Sequence, residues 1–182
     1  SGRQNLCSKR DLIGMYRAGA FAEKIAIPER NLIPVPEGVS SVKAALTEPG
    51  ATGLHAIVLA EKSTSRPISE SSALVIGAGS VGLLTALILA DKGVSNVIIA
   101  ETNPLRRETV AKHTDFQLLD PINEVCPELA FDFVFDAVGG EKTRDMAVAS
   151  VKSGGVIVHI GLMDNAGSMD IRAITLREIT FI

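Results

Sequence analysis

Aromatic residues and cysteines are scarce in this chain. Its 182 residues include no tryptophan, one tyrosine and two cysteines, and aromatic residues make up 4 % of the total. Two cysteines, Cys7 and Cys126, are too few for a disulfide framework, so we expect a reducing, cytoplasmic compartment. The polar residues 1–5 lack the pattern of a secretory signal peptide, which agrees with that expectation.

Basic clusters and long apolar runs are also lacking. The formal net charge is −3, and no basic cluster exceeds a pair such as Arg106 and Arg107. We therefore expect neither a nucleic acid nor an anionic membrane as a partner. The longest apolar run, residues 81–90, is interrupted by Thr85 and is too short to span a bilayer. A hydrophobic content of 46 % with 21 % charged residues is instead typical of a globular protein with a sizeable core.

The middle of the chain holds its most informative pattern. A short apolar strand, residues 73–76, leads into Gly77, Gly79 and Gly82 at G-x-G-x-x-G spacing, and an apolar helix follows. A second apolar strand, residues 96–100, comes next and is followed by an acidic residue. This order is typical of a nucleotide-binding βαβ unit. A glycine-rich turn without a ligand is the alternative, but the complete unit favours dinucleotide binding.

Each glycine of the pattern has a physical role. Gly77 can take the positive φ of a tight turn, Gly79 lets a pyrophosphate approach the backbone, and Gly82 lets the helix pack closely on the strand. The free N–H groups around Ser80 and Val81 lie at the positive end of the predicted helix. We therefore expect this turn to bind an anionic diphosphate.

An acidic residue completes the unit. Glu101 lies about 20 residues beyond the last glycine, where a carboxylate accepts hydrogen bonds from the hydroxyls of an adenosine ribose. Because a carboxylate there would repel a 2′-phosphate, Glu101 favours NAD over NADP. Residues 103–107 follow directly and are expected to flank the adenosine end of the ligand.

Strands and helices alternate regularly from residue 73 onward. Strands that are apolar almost throughout suit a parallel sheet covered on both faces. Six strands with a helical crossover after the third predict an α/β fold with the doubly wound, Rossmann order 3-2-1-4-5-6. The strands are predicted at 73–77, 96–101, 116–119, 132–136, 156–160 and 178–182, and the helices at 81–92, 104–112, 122–128 and 141–151.

The first 72 residues are less regular. Residues 20–27 resemble a strand with imperfect alternation of apolar and polar side chains. A helical pattern that starts at Ser40 is expected to break at Pro49 and Gly50.

Two further loops are expected beside the ligand. In a doubly wound sheet, ligands bind outside the carboxyl ends of the strands, at the point where the strand order reverses. Residues 136–140 follow the fourth strand and residues 160–162 follow the fifth. An ordinary turn is the alternative interpretation of each loop.

Several segments together carry a family resemblance. The chain resembles the zinc-dependent medium-chain alcohol dehydrogenases, particularly their sorbitol and threonine dehydrogenase branches, and the likeness covers essentially all of it. The matching segments are residues 2–7, G-A-F-A-E at 19–23, residues 31–36, E-P-G-A-T-G-L-H at 48–55, V-I-G-A-G-S-V-G at 75–82, and residues 136–139 and 154–161.

The resemblance also implies a domain organisation. It makes residues 1–40 a remnant of the GroES-like catalytic domain and its zinc lobe, 41–72 linking helices, and 73–182 the NAD-binding Rossmann domain. Members of the family begin with a catalytic domain, which carries a cysteine and a Gly-His-Glu motif for the catalytic zinc, and end with a segment that returns to that domain. Neither part occurs in this chain. We therefore expect the chain to be the cofactor-binding half of a longer enzyme.

Two metal ligands are implied by the resemblance. Cys7 matches the fourth thiolate of a structural four-cysteine zinc site, whose other ligands would precede Ser1, so alone it is expected to be metal-free. Glu48 matches the third protein ligand of the catalytic zinc, or a carboxylate that binds the zinc water, and is the candidate catalytic residue. The alternatives are a free thiol for Cys7 and, for Glu48, an acid that favours a helix N-terminus.

Further cofactor contacts are implied in the same way. Thr52 matches a residue that packs on the nicotinamide ring, and Arg106 one that reaches the adenosine ribose or its phosphate. The remaining matches lie on the two loops, and plain core packing is an alternative for several of them. They are Ala137 and Val138 as ribose walls, and Ile160, Gly161 and Leu162 as backbone contacts near the carboxamide.

The implied function is hydride transfer from a secondary alcohol or polyol to NAD, supported by zinc in the intact enzyme. The isolated chain is expected to bind NAD without turnover, and to form a homodimer through residues 168–172 and the last strand. One alternative is a non-catalytic NAD(H)-binding or assembly module. Another is a zinc-free quinone or enoyl reductase of the same superfamily, which would normally prefer NADP.

Overall fold

The computed structural model describes residues 4–182, and the chain divides into two compact units with a boundary after Ser41. Residues 2 and 3 of the zinc-lobe match therefore lie outside the described residues. The first unit contains two short 3₁₀ turns, Gln4–Leu6 and Glu29–Asn31, and an isolated bridge. The strand expected at 20–27 is wrong, since these residues form no strand and the side chain of Phe21 is fully exposed. A strand needs a partner strand and a face to bury, and this segment has neither.

The second unit, Val42–Ile182, is a doubly wound α/β sheet. All six strands are parallel and lie in the order 3-2-1-4-5-6, which confirms the predicted fold class. The elements are α1 (Ser41–Ala44), α2 (Thr47–Lys62), β1 (Ser72–Ile76), α3 (Ser80–Asp91), β2 (Asn96–Ala100), α4 (Pro104–His113), β3 (Gln117–Leu119), β4 (Phe131–Asp136), α5 (Glu141–Ser150), β5 (Val151–His159), α6 (Ile171–Leu176) and β6 (Thr180–Phe181).

The helix break lies earlier than the sequence predicted. Helix α2 begins at Thr47, so Pro49 and Gly50 lie inside its first turns, and the break falls at residues 45 and 46. Proline is compatible with the first turn of a helix because the N–H that it lacks would have no partner there. The Gly50 N–H already donates to the Leu46 carbonyl at 2.9 Å.

Two other helix predictions need correction. Residues 122–128 form turns and irregular chain instead of a helix, because the side chains of Ile122 and Val125 are 70 % and 89 % exposed and do not form a buried apolar helix face. Conversely, helix α6 was not predicted. Its N-terminus is capped by Asp170, whose side chain accepts a hydrogen bond from the Ala173 N–H at 2.8 Å.

The core lies on both faces of the sheet. Successive side chains of a strand point to opposite faces. Val75 therefore packs on the face that α2 and α3 cover, while Leu74 and Ile76 pack on the other face. Ile57 and Leu89 cover the first face and Val148 the second, and all three are buried. This two-sided burial explains why β1 is apolar throughout. Among residues 4–182, no helix has both the length and the apolar character needed to cross a bilayer.

A charged cluster stabilises the amino end of the sheet. The Asp132 carboxylate accepts hydrogen bonds from the Ser72 N–H at 2.9 Å, from Lys152 Nζ at 2.9 Å and from Arg66 Nη1 at 2.5 Å. Burial raises the pKa of Asp132, but these hydrogen bonds and the Lys152 charge outweigh it and lower the pKa to about 2. The ionised carboxylate therefore ties β1, β4 and β5 together.

The substitution Asp132→Asn should lower the free energy of unfolding by about 2 kcal/mol at about pH 7. Because the folded pKa is depressed, this stabilisation is present above the unfolded pKa and is lost as the pH falls from about 4 to about 2. Urea unfolding across that pH range measures the difference. Asp91→Asn, at an exposed position of α3, is the matched control, and an equal loss there would contradict the assignment.

Candidate functional site

The turn between β1 and α3 needs glycine at two positions for internal reasons. Gly77 has a φ of +95°, which side chains rarely adopt, and its N–H donates to the Ala100 carbonyl at 2.7 Å. A Cβ built at Gly82 would overlap the Gly77 carbonyl oxygen. The fold itself therefore explains both glycines.

Gly79 has no such internal reason. Its φ is −70°, which any residue can adopt, and a Cβ built there would meet no atom within 4 Å. Gly79 is the N-cap of α3, and no side chain caps the first N–H groups of the helix, around Ser80 and Val81. The open space beside Gly79, at the positive end of a helix, can accept an anion, whose close approach a side chain at position 79 would hinder.

Glu101 lies buried beside the same turn. Its side chain is 4 % exposed, and it accepts hydrogen bonds from the N–H groups of Ala78 and Asn103, each at 2.7 Å. Arg106 Nη1 lies 3.6 Å from Glu101 Oε2. Burial raises the pKa of Glu101, but the two N–H groups and Arg106 outweigh it, so the net pKa is lowered. Sequence reasoning assigned Glu101 to a ligand and missed that its carboxylate also holds the glycine-rich turn.

The two neighbouring arginines have different roles. Arg107 donates to the carbonyl oxygens of Glu101 at 2.7 Å and Thr102 at 2.8 Å, and pairs with Asp120 at 2.7 Å, so it shapes the loop after β2. The Arg106 side chain is 58 % exposed and remains available to a ligand beside the carboxylate. The predicted contact residue and a residue that supports its loop are thus adjacent in the sequence.

Asp136 organises the loops after β4 and β5. It is fully buried, and its Oδ1 accepts hydrogen bonds from the N–H groups of Val138 at 3.0 Å and Gly139 at 2.9 Å. Its main-chain carbonyl accepts from the N–H groups of Ile160 and Gly161. Sequence reasoning placed Asp136 on a ligand loop without this supporting role. The signal was present, since an acid that ends an apolar strand and is followed by two glycines can cap the turn that follows.

These loops enclose a cleft of about 740 Å³ at the carboxyl edge of the sheet. Three predicted cofactor residues, Gly77, Glu101 and Val138, line it together with the start of α5 and the loop after β5. Ala137 and Ile160 are half-buried at the same edge, Gly161 is buried against the Val138 backbone, and the Leu162 side chain is 90 % exposed. The other lining residues are Ile76, Ala100, Thr102, Pro121, Ile122, Gly140, Glu141, Lys142, Thr143, Met146, Met163 and Asp164.

The remaining predicted residues lie elsewhere. Glu48 and Thr52 lie one turn apart at the start of α2, with Glu48 exposed and the Thr52 hydroxyl donating to the Glu48 carbonyl at 3.2 Å. Cys7 is an exposed free thiol in the first unit. Within residues 4–182, no group of three histidine, cysteine or acidic side chains could hold a metal ion. The described residues therefore do not fit a zinc ion, and no metal-dependent step follows from them.

Comparison with known proteins agrees with this architecture. Residues 80–182 match the family model described as zinc-binding dehydrogenase. The chain belongs to this family. The match confirms the resemblance inferred from the sequence, and it covers most of the sheet unit in which the predicted cofactor residues lie.

Individual curated dehydrogenases are similar to most of the chain. L-galactonate-5-dehydrogenase of Escherichia coli is 35 % identical over 170 residues, which are 89 % of this chain and 48 % of that protein. The chain thus spans about half the length of the curated relatives that it matches.

Solved structures of the family superpose well. A Sinorhizobium meliloti protein described as a possible zinc-binding dehydrogenase, bound to NADP, has a TM-score of 0.85 and 25 % identity, over 99 % of this chain and 55 % of that one. Acetophenone reductase from Geotrichum candidum, in complex with NAD, has a TM-score of 0.74 and 28 % identity, over 85 % of this chain and 44 % of that one.

The different reasons for the glycines can be tested by stability. Gly82→Ala should lower the free energy of unfolding by about 2 kcal/mol or more, because the new methyl overlaps a backbone carbonyl. Gly79→Ala should stay within about 1 kcal/mol of the unsubstituted chain, since it adds a methyl in open space at an N-cap. Urea unfolding measures both. Equal losses would show that the fold also requires Gly79.

Proposed function

We propose that this chain is the cofactor-binding half of an NAD-dependent dehydrogenase that transfers hydride from a secondary alcohol or polyol to NAD. The observation that carries the proposal is Gly79, a glycine that the fold does not require, at the open N-terminus of α3. A diphosphate in that space would receive the N–H groups around Ser80 and Val81. The adjacent ionised Glu101 supplies the ribose contact.

Glu101 can bind a ribose although it already accepts two N–H groups. A carboxylate has about four acceptor positions, so vicinal hydroxyl groups can still donate to it. Its negative charge would oppose a 2′-phosphate, which supports NAD over NADP. Arg106, whose Nη1 lies 3.6 Å from Glu101 Oε2, offsets part of this charge, so the preference for NAD depends on the carboxylate.

The sheet order gives the cofactor a direction. Glu101 follows β2 on one side of β1, and the loops after β4 and β5 lie on the other side. An adenosine at Glu101 and a diphosphate at the glycine turn leave the nicotinamide half for those loops, which hold Ala137, Val138 and residues 160–162. A nicotinamide bound there would supply the hydride acceptor, and the chain's own residues would orient it and hold it in place.

The substrate and zinc contributions are proposed for the intact protein. The relative named for L-galactonate supports a small hydroxylated substrate. Glu48 would serve the catalytic zinc and Cys7 a structural zinc, each together with ligands outside the described residues. Thr52 would contact the nicotinamide ring. The scarcity of cysteine supports a cytoplasmic location.

Cofactor binding and preference can be measured by titrating the chain with NADH and NADPH and following nucleotide fluorescence. We expect NADH to bind more tightly. Glu101→Ala should weaken NADH binding and remove most of the preference, because the repulsion of a 2′-phosphate is lost while Arg106 remains. Tighter NADPH binding by the unsubstituted chain would contradict the proposal and favour a zinc-free quinone or enoyl reductase.

Two variants sharpen this measurement. Gly79→Ala should weaken both nucleotides, since its methyl occupies the space of the diphosphate while the fold tolerates it. Ser95→Ala, at the exposed amino end of β2, is the control and should change neither. Undiminished binding by Gly79→Ala would remove the main support for a diphosphate at this turn.

We also propose that the chain forms a homodimer through the edge of its sheet. Strand β6 pairs with β5 alone among the described strands, so its other side presents unpaired backbone groups. Ile171 and Leu176 on the neighbouring α6 are 60 % and 69 % exposed, and a second copy related by a two-fold axis would cover both the edge and these side chains.

Sedimentation analysis tests this assembly. The chain should sediment as a dimer, and Leu176→Lys should shift it toward the monomer because a charge would be buried at the seam. Val125→Lys, at a more exposed position away from β6, is the control. A monomer at high concentration would contradict the dimer without affecting the cofactor site.

A further inference from the structure

A buried arginine lies between the two loops that follow β4 and β5. Arg144, on α5, is 8 % exposed, and its Nη1 donates to the Gly139 carbonyl at 3.1 Å. Its Nη2 lies 3.8 Å from Asp164 Oδ2 in the loop after β5. A Cβ built at Gly167, in the same loop, would overlap Nη2. The guanidinium is thus enclosed between the turn at Gly139 and residues 164–167.

Backbone and carboxylate hydrogen bonds fasten the same loop. The N–H groups of Met163 and Asp164 donate to the carbonyls of Val138 and Gly139, each at 3.1 Å. Asp164 Oδ2 accepts a hydrogen bond from the Glu141 N–H at 2.8 Å, which places an acid at the N-terminus of α5. These contacts fasten the loop after β5 to the turn after β4, and Arg144 lies between the two segments.

Arg144 does not line the cleft, so it can influence a ligand only through the loops. The guanidinium contacts the Gly139 carbonyl, the Asp164 carboxylate and Gly167, and its charge also helps to lower the pKa of Glu141. Its Nη2 makes no hydrogen bond among the described residues. A buried guanidinium held by one hydrogen bond and one longer ion pair adds little net stability, since desolvation opposes the attraction. A positioning role explains its presence better than stability does.

We propose that Arg144 is a positioning residue that sets the place where the backbone of residues 160–162 meets the nicotinamide half of the cofactor. This inference rests on the proposed function, which directs that half of the cofactor toward the loops after β4 and β5. Arg144 acts through Gly139 and Asp164, and the adenosine half at Glu101 lies on the other side of β1.

The experiment compares NAD with ADP-ribose, which has the same adenosine, diphosphate and second ribose but no nicotinamide. Titration calorimetry on the full 182-residue chain gives both affinities. Arg144→Met should weaken NAD about tenfold and change ADP-ribose by less than about twofold. Arg144→Lys, which keeps a donor for the Gly139 carbonyl, should restore part of the NAD affinity.

A second variant tests the role without removing a polar group. Gly167→Ala places a methyl where the guanidinium lies and should give the same selective loss of NAD. In the double variant with Arg144→Met the losses should not add, because both act on one contact. Asp145→Asn, exposed on the same helix, is the control and should leave both ligands unchanged.

The outcomes separate this role from the proposed function. If the unsubstituted chain binds neither nucleotide, the proposed function fails, and the positioning role falls with it. If it binds both, an unchanged ratio of NAD to ADP-ribose affinity in Arg144→Met overturns the positioning role alone. An equal weakening of NAD and ADP-ribose binding in Arg144→Met also overturns the positioning role, because it would show that Arg144 supports the fold as a whole.

Discussion

The hydrogen bond from the Ala78 N–H to the buried Glu101 carboxylate is the contact on which the site depends. It joins the turn after β1 to the loop after β2 at 2.7 Å. A carboxylate that is 4 % exposed is tolerated in its charged form only where donors surround it, and Ala78, Asn103 and Arg106 supply them. The group proposed to recognise a ribose therefore also keeps the glycine-rich turn in shape, so that one residue would serve both the fold and ligand recognition.

A second buried acid repeats this arrangement on the other side of β1. Asp136 ends β4 and accepts the N–H groups of the loop that follows, as Glu101 does after β2. The sheet interior is apolar on both faces, so charged groups can be satisfied only at its ends, where loop N–H groups are free. Glu101 and Asp136 organise the loops at the carboxyl ends of the strands, where the cleft lies, while Asp132 stabilises the amino ends.

Membership of the zinc-binding dehydrogenase family and the geometry of the cleft both indicate cofactor binding. The described residues provide a helix N-terminus without a side-chain cap, an ionised acid and two loops fastened to each other, and these features are proposed to position a ligand. They do not assemble a group of metal ligands. The chemistry of the substrate hydroxyl is therefore proposed only for the intact protein, whereas the described residues are proposed to bind the cofactor.

Local pattern determined the doubly wound strand order and the glycine-rich turn, because strand periodicity, glycine spacing and the acid after β2 are properties of neighbouring residues. The family followed from the resemblance of several segments to known dehydrogenases. The same reasoning was wrong at 122–128, where Ile122 and Val125 face solvent, and it missed α6. The tertiary structure supplied the contacts that make Gly77 and Gly82 necessary to the fold and leave Gly79 without such a contact. It also revealed the second role of Glu101 and the place of Arg144 between two loops. These features depend on contacts between residues that are distant in the chain, and no local periodicity records them.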